Sequence, residues 1–249
     1  MGKISILMYH QVGEFSRPAA HRANYCHIRR FKAQMAWLHR FRYRVIGLDE
    51  ALRCLCGEQP MPQHAVVLTF DDGYQNFYDS AFPVLRHYGF PASVFLVANL
   101  LGRDPEWLVG ENMISTPLMS PDTIRTLRRE GILFGSHALS HPRLSQISQE
   151  QMRSEVSLSK AKIEAVLEEE VEFFCYPYGD FDDQVVAAVR EAGYKAALSC
   201  IRASAFGQED PLLLPRKAIS YGDSLAGFWW KVHMKNQQKE ESRQAIQEC

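Results

Sequence analysis

No run of apolar residues in this chain is long enough to span a bilayer, and neither charge dominates. The 249 residues include 28 Lys and Arg against 29 Asp and Glu. A transmembrane helix needs about 20 consecutive apolar residues, so none is expected. With no basic block, nothing points to nucleic acid as a partner. The opening stretch from Met1 to His10 is apolar for only a few residues and lacks both a signal-peptide core and a small-residue cleavage site. The expectation is therefore a cytoplasmic protein. Six cysteines (Cys26, Cys54, Cys56, Cys175, Cys200 and Cys249) show no zinc-finger or thioredoxin spacing. Cys54 and Cys56 lie two apart in a helical pattern and cannot face the same way. Reduced, structural thiols are expected. Internal repeats are lacking too. What is present, 46% hydrophobic and 23% charged residues, is the composition of a globular chain with room for one large α/β domain.

Strand-like and helix-like runs alternate almost throughout. Strands are predicted over 4–9, 65–70, 92–97, 132–135, 172–176 and 195–199, with a last short one over 217–220. Phe31, Met35 and Leu38 form an apolar stripe on a first helix, and a second over 48–56 is closed by Gly57. A helix over 80–88 ends at Gly89. Ser120-Pro121-Asp122 is a strong helix start, ended by Gly131. Ser148 with Gln151 reads as a capping box for a long helix whose apolar side is Met152, Val156, Ile163 and Val166. A further helix covers 182–192. About seven β/α units without a composition break predict a single parallel-sheet domain over residues 1–234, most simply a barrel. Residues 101–119, with Trp107 and Pro117, read as a rim insertion. The polar segment 235–249 reads as a disordered tail.

Three of the strand ends carry chemistry. The run Thr69-Phe70-Asp71-Asp72-Gly73 places two carboxylates where a buried strand stops, on the edge where α/β folds collect functional groups. Neighbouring residues leaving a strand point in opposite directions, so one carboxylate could hold a metal and the other a proton. Asp-Asp-Gly is also simply a good turn. Ser136-His137-Ala138-Leu139-Ser140-His141-Pro142 follows another strand. Two imidazoles four residues apart reach one metal if the segment coils through a helical turn, and with one carboxylate they make a two-His, one-carboxylate set. Tyr176-Pro177-Tyr178-Gly179 follows a third strand, where a Pro/Gly turn can aim a backbone N–H at a developing oxyanion.

These three segments, in this order, resemble the metal-dependent polysaccharide deacetylases, the chitooligosaccharide-deacetylase homology domain. The resemblance covers nearly the whole chain. Met8-Tyr9-His10-Gln11-Val12 and Leu214-Pro215-Arg216 resemble the branch containing the poly-N-acetylglucosamine deacetylases. It implies a distorted (β/α)7 barrel. It also implies that Asp71 is the general base, that Asp72, His137 and His141 hold one divalent metal ion, and that the Tyr178 N–H completes the oxyanion hole. Zinc suits the ligand set best, with cobalt, nickel or iron as alternatives. The implied activity is removal of N-acetyl groups from a carbohydrate in exopolysaccharide or envelope synthesis. The other readings are deacetylation of a small-molecule or nucleotide-linked sugar, and a non-catalytic carbohydrate-binding relative.

The chain departs from the family pattern at three points. The Arg that many members carry two residues before the motif Pro is Cys175 here, with no partner Asp in Ala196-Ala197-Leu198-Ser199-Cys200. Position 138 is Ala where a hydroxyl is usual, and the C-terminal Leu-x-His is missing, His233 being a poor match. His10, ending the first strand, is the candidate replacement acid, or else braces Asp71; Arg216 is the candidate for orienting Asp71. Tyr74, Trp107, Pro177, Tyr178, Trp229 and Trp230 are candidate sugar contacts. If Trp229 and Trp230 stay exposed together with Phe228, they mark a peripheral membrane or glycan-assembly patch instead.

Overall fold

The structure, a computed structural model, describes residues 2–18, 21–108, 116–207 and 210–234. Segment 235–249 and the central part of the 101–119 insertion lie outside the described residues. Ten strands are described: β1 (Ile4–Tyr9), β2 (Gln11–Gly13), β3 (Tyr25–His27), β4 (Arg44–Val45), β5 (Ala65–Phe70), β6 (Ser93–Leu96), β7 (Leu133–Ser136), β8 (Phe173–Cys175), β9 (Ala196–Leu198) and β10 (Lys217–Ala218). The α-helices are α1 (Ile28–Arg40), α2 (Leu48–Leu55), α3 (Phe82–Tyr88), α4 (Pro121–Arg129), α5 (Gln149–Leu167), α6 (Asp183–Glu191) and α7 (Leu225–His233).

Seven strands run parallel in the order β10-β1-β5-β6-β7-β8-β9. One edge of β5 is shared: β4 pairs with Ala65 and Val66, and β6 with Thr69 and Phe70. A single segment closes the ring. Leu214 bridges Leu198 of β9, and three residues later Lys217 and Ala218 pair with Leu7 and Met8 of β1. Arg216 therefore sits at the seam. The result is a distorted (β/α)7 barrel in one domain, as the alternation of elements predicts.

Strand parity sorts the side chains. Ile4 and Ile6 of β1, Ala65 and Val67 of β5, Phe95 of β6, and Phe173 and Cys175 of β8 share the interior cluster, which α2 plugs from the strands' N-terminal end with Leu48, Ala51 and Cys54. Leu7, Tyr9, Val66, Leu68, Phe70 and Phe174 belong to the outer core under the helices. Continuing each inward series past the strand ends gives His10, Asp71 and His137. The parity that buries the core thus aims these groups into the mouth. Gly135 keeps β7 in place: a Cβ there would lie 2.5 Å from Phe95 Cε1 and 2.8 Å from the Phe173 carbonyl oxygen.

The helix starts follow the sequence signals. Ser120 Oγ accepts from the Thr123 N–H ahead of α4, and the reciprocal Ser148–Gln151 box opens α5. Four features differ. The helix expected from residue 80 begins at Phe82, because Phe77–Ala81 forms a π turn. The strand expected over 132–135 is displaced by one residue. The short strands β2, β3 and β4 carry too few residues for a readable period. Finally, α7 is not expected from the sequence, because only Lys231 and His233 of its nine residues are polar, too few to mark an amphipathic stripe.

Candidate active site

The two adjacent carboxylates of Asp71 and Asp72 are buried and face different partners. Asp71 keeps the inward direction of β5. Asp72 has φ 72°, a left-handed conformation uncommon for a residue with a Cβ, and this turns its carboxylate towards the histidines. Ala138, His141 and Tyr178 share this unusual region, with φ of 64°, 65° and 57°. Backbone strain thus concentrates in the segments around the mouth, where surrounding structure must hold it.

The histidine pair does not ride on a helical turn as expected. The segment is an irregular loop, its positive-φ residues Ala138 and His141 being incompatible with a helix. Glu155 of α5 holds it: its Oε2 accepts from the N–H groups of Leu139 and Ser140 at 2.8 and 2.9 Å, and its Oε1 from the Ser140 hydroxyl. Asp180, just after the Pro177–Gly179 turn, accepts from Ser145 N and Oγ at 2.8 and 2.9 Å, tying that turn to the histidine loop. Neither Glu155 nor Asp180 stands out in the sequence, since only the packing of α5 and the turn against this loop gives them their partners.

His137 Nδ1 lies 2.8 Å from the Cys175 carbonyl oxygen, which can only accept, so Nδ1 carries the proton and Nε2 presents a lone pair. That Nε2 and the Nε2 of His141 each stand 3.4 Å from Asp72 Oδ1, a buried oxygen with no hydrogen-bond partner. Burial pushes the His137 imidazole down to about 4, and His141 well below the usual range. Burial, with Asp71 alongside, pushes the Asp72 carboxyl well above its usual range. The His137 lone pair, Asp72 Oδ1 and His141 Nε2 converge on one point. Neutral imidazoles with a carboxylate are a fitting donor set for a divalent cation, and the three atoms lie within 4.8 Å of one another. Asp71, His137 and Cys175 also lie within that distance. There, however, Asp71 is already satisfied by a guanidinium, and burial raises the Cys175 thiol well above its usual pKa.

That guanidinium belongs to Arg216. Nη1 and Nη2 donate to the two Asp71 oxygens at 2.7 and 2.8 Å. The remaining donors reach Thr69 Oγ1 (3.3 Å), Cys175 Sγ (3.0 Å) and the Ser199 carbonyl oxygen (3.0 Å). Arg216 is thus fully satisfied although its side chain is 0% exposed. Burial works to raise the Asp71 carboxyl, but Arg216 outweighs it and holds the group well below the usual carboxylate range. The small Cys175 leaves room for this guanidinium, which arrives from the barrel seam.

His10 Nε2 lies 4.0 Å from Asp71 Oδ2, and burial lowers its pKa. Trp107 stacks on His141 with ring centroids 4.4 Å apart, and Tyr178 packs against the same imidazole at 4.5 Å. The Arg143 guanidinium lies over the Tyr178 ring. Tyr74 is 1% exposed, and its hydroxyl reaches the site from below, beside Asp72 and Trp107. Phe228 is buried, whereas Trp229 and Trp230 lie on α7 and are not sugar platforms of this mouth. His233 is remote too, its ring meeting the Tyr43 hydroxyl near the strands' N-terminal end.

The sequence profile described as "Polysaccharide deacetylase" matches residues 58–197. YxkH of Bacillus subtilis, whose name assigns it to the same group, is 25% identical over 226 residues, covering 91% of this chain and 75% of the relative. A poly-beta-1,6-N-acetyl-D-glucosamine N-deacetylase of Staphylococcus epidermidis is 26% identical over 76% of this chain and 66% of its own. In fold, the chain is similar to the Streptococcus pyogenes deacetylase PplD, solved in complex with acetate, with a TM-score of 0.80 and 23% identity over 93% of this chain and 98% of that one. The profile spans more than half of the chain and includes Asp71, Asp72, His137 and His141. This protein belongs to the polysaccharide deacetylase family.

Proposed function

We propose that this protein is a divalent-metal-dependent N-deacetylase that removes acetyl groups from an amino-sugar polymer, oligomer or lipid-linked glycan. The observation that carries the reading is the contrast between neighbouring carboxylates. Asp72 Oδ1 is buried and unpartnered between two neutral imidazoles, while Asp71 is gripped at both oxygens by Arg216.

In this reading Asp72, His137 and His141 hold the metal, with zinc favoured by the donor set. When bound, such an ion acidifies water and polarises the acetyl carbonyl. Asp71 accepts a proton from the attacking water. Arg216 keeps Asp71 ionised and, through its two-point grip, keeps it from rotating away. The Tyr178 N–H stabilises the developing oxyanion. His10, 4.0 Å from Asp71, takes that proton from Asp71 and passes it to the departing nitrogen, so that water and amide become acetic acid and free amine. Pro177 and Trp107 form the walls for the sugar. The S. epidermidis relative's name and the acetate in the S. pyogenes neighbour agree with an N-acetylated glycan substrate and an acetate product.

The test is acetate release from a panel of N-acetylated oligosaccharides, polymers and small sugars, with chelated and metal-restored protein and Asp71→Asn as control. Release that returns with metal and is lost in D71N supports the reading. Binding of glycans without release on any substrate would assign the chain to the non-catalytic alternative.

A further inference from the structure

Along the flank of the barrel, α7 leaves one side without a partner among the described residues. Its Phe228 and Val232 are buried, while Leu225, Trp229, Trp230 and Met234 are 44%, 43%, 50% and 52% exposed. Phe41, at the end of α1 and 61% exposed, lines a groove with Trp37, Arg42, Tyr43 and Trp229. Of the eight large apolar side chains exposed among the described residues, these five gather here. Scattered apolar residues need no explanation, but a contiguous aromatic patch does.

We propose that this face docks the protein peripherally on an anionic lipid bilayer. Charge and side-chain chemistry both favour that occupant. Arg40 and Arg42 flank Phe41 and are exposed, while the nearby acids Glu50 and Asp223 are neutralised by Arg44 and Lys231. The apolar surface therefore has two exposed arginines beside it, which complements phosphate headgroups over acyl chains. Paired tryptophans suit the boundary between headgroups and hydrocarbon, where an apolar ring with one N–H donor is most at home. A helix lying flat with Trp229 and Trp230 downwards needs no rearrangement of the core, because Phe228 and Val232 stay packed. Docking is independent of the proposed chemistry.

The test is sedimentation of the full chain with vesicles of phosphatidylcholine alone or mixed with phosphatidylglycerol, with tryptophan fluorescence followed in parallel. Binding to the mixed vesicles, weakened by salt and accompanied by a blue shift, is expected. Arg40→Gln with Arg42→Gln is expected to weaken it roughly thirtyfold, from about 1 kcal/mol per basic residue at such a surface. Trp229→Ser with Trp230→Ser should abolish it while thermal unfolding and acetate release remain those of the parent. No binding to either vesicle type overturns the proposal. So does concentration-dependent dimerisation that the Trp variant abolishes, since the face would then be an interface between copies.

Discussion

Replacing Arg216 by Met removes the guanidinium but keeps a long apolar side chain in the barrel seam. Five donor contacts disappear, two of them to Asp71. Asp71, 3% exposed, is left as an uncompensated carboxylate. Breaking a buried ion pair from one side costs about 3–5 kcal/mol. In a protein of this size each kcal/mol lowers Tm by roughly 2–4 °C, so R216M should melt about 6–20 °C below the parent. Asp71→Asn should be comparably destabilising, because it strands the guanidinium instead. The double variant holds neither charge and should recover part of the loss, giving a coupling energy well beyond additivity. The pH dependence has a definite sign. In the parent the folded Asp71 carboxyl is depressed, so its contribution is present above the unfolded value near 3.8 and fades as pH falls below it. In R216M, burial without a guanidinium raises the carboxyl, so the defect is largest near neutrality and shrinks on acidification. The acid limb of kcat/KM moves upward for the same reason. Denaturant unfolding of the four proteins across pH, with acetate release measured alongside, makes the comparison. A single R216M variant with parental stability and an unmoved acid limb would falsify the clamp.

Three further outcomes follow from the same geometry. Zinc at a hundredfold excess over its Kd should raise the unfolding free energy by about 2.7 kcal/mol, a gain that chelator removes and Asp72→Asn lacks; a parental metal shift in D72N would rule out Asp72 as a ligand. Glu155→Gln loosens the histidine loop without touching a proposed ligand, and metal affinity measured by chelator competition should fall on the order of 10–100-fold; a change in Tm alone would mean a purely structural role. His10→Ala should lower kcat while leaving metal affinity and Tm near parental, and unchanged turnover would remove His10 from the reaction.

Much of the barrel is legible in local pattern, because apolar runs ending in Gly or Pro specify buried strands and capped helices without reference to anything distant. The 65–70 strand, the Ser120 start and the Ser148–Gln151 box are of this kind. The short strands β2, β3 and β4, and α7 with only Lys231 and His233 to mark a polar face, carry no such period. The segments bearing Asp71, Asp72, His137 and His141 could be picked out because each follows a readable strand. Of their partners, Arg216 is a candidate only through the resemblance of Leu214-Pro215-Arg216; it meets Asp71, 145 positions away, because the segment after β9 crosses to β1 to close the ring.

The sequence by itself determined the alternation of strands and helices, the inward parity of each strand, and the residues that stand at the strand ends. The tertiary structure decided which charge neutralises which, how the histidine loop is held by Glu155, and that the tryptophans of α7 face outward. Periodicity and capping act between near neighbours along the chain, whereas a buried charge is satisfied by whatever group the closed barrel brings within hydrogen-bond reach.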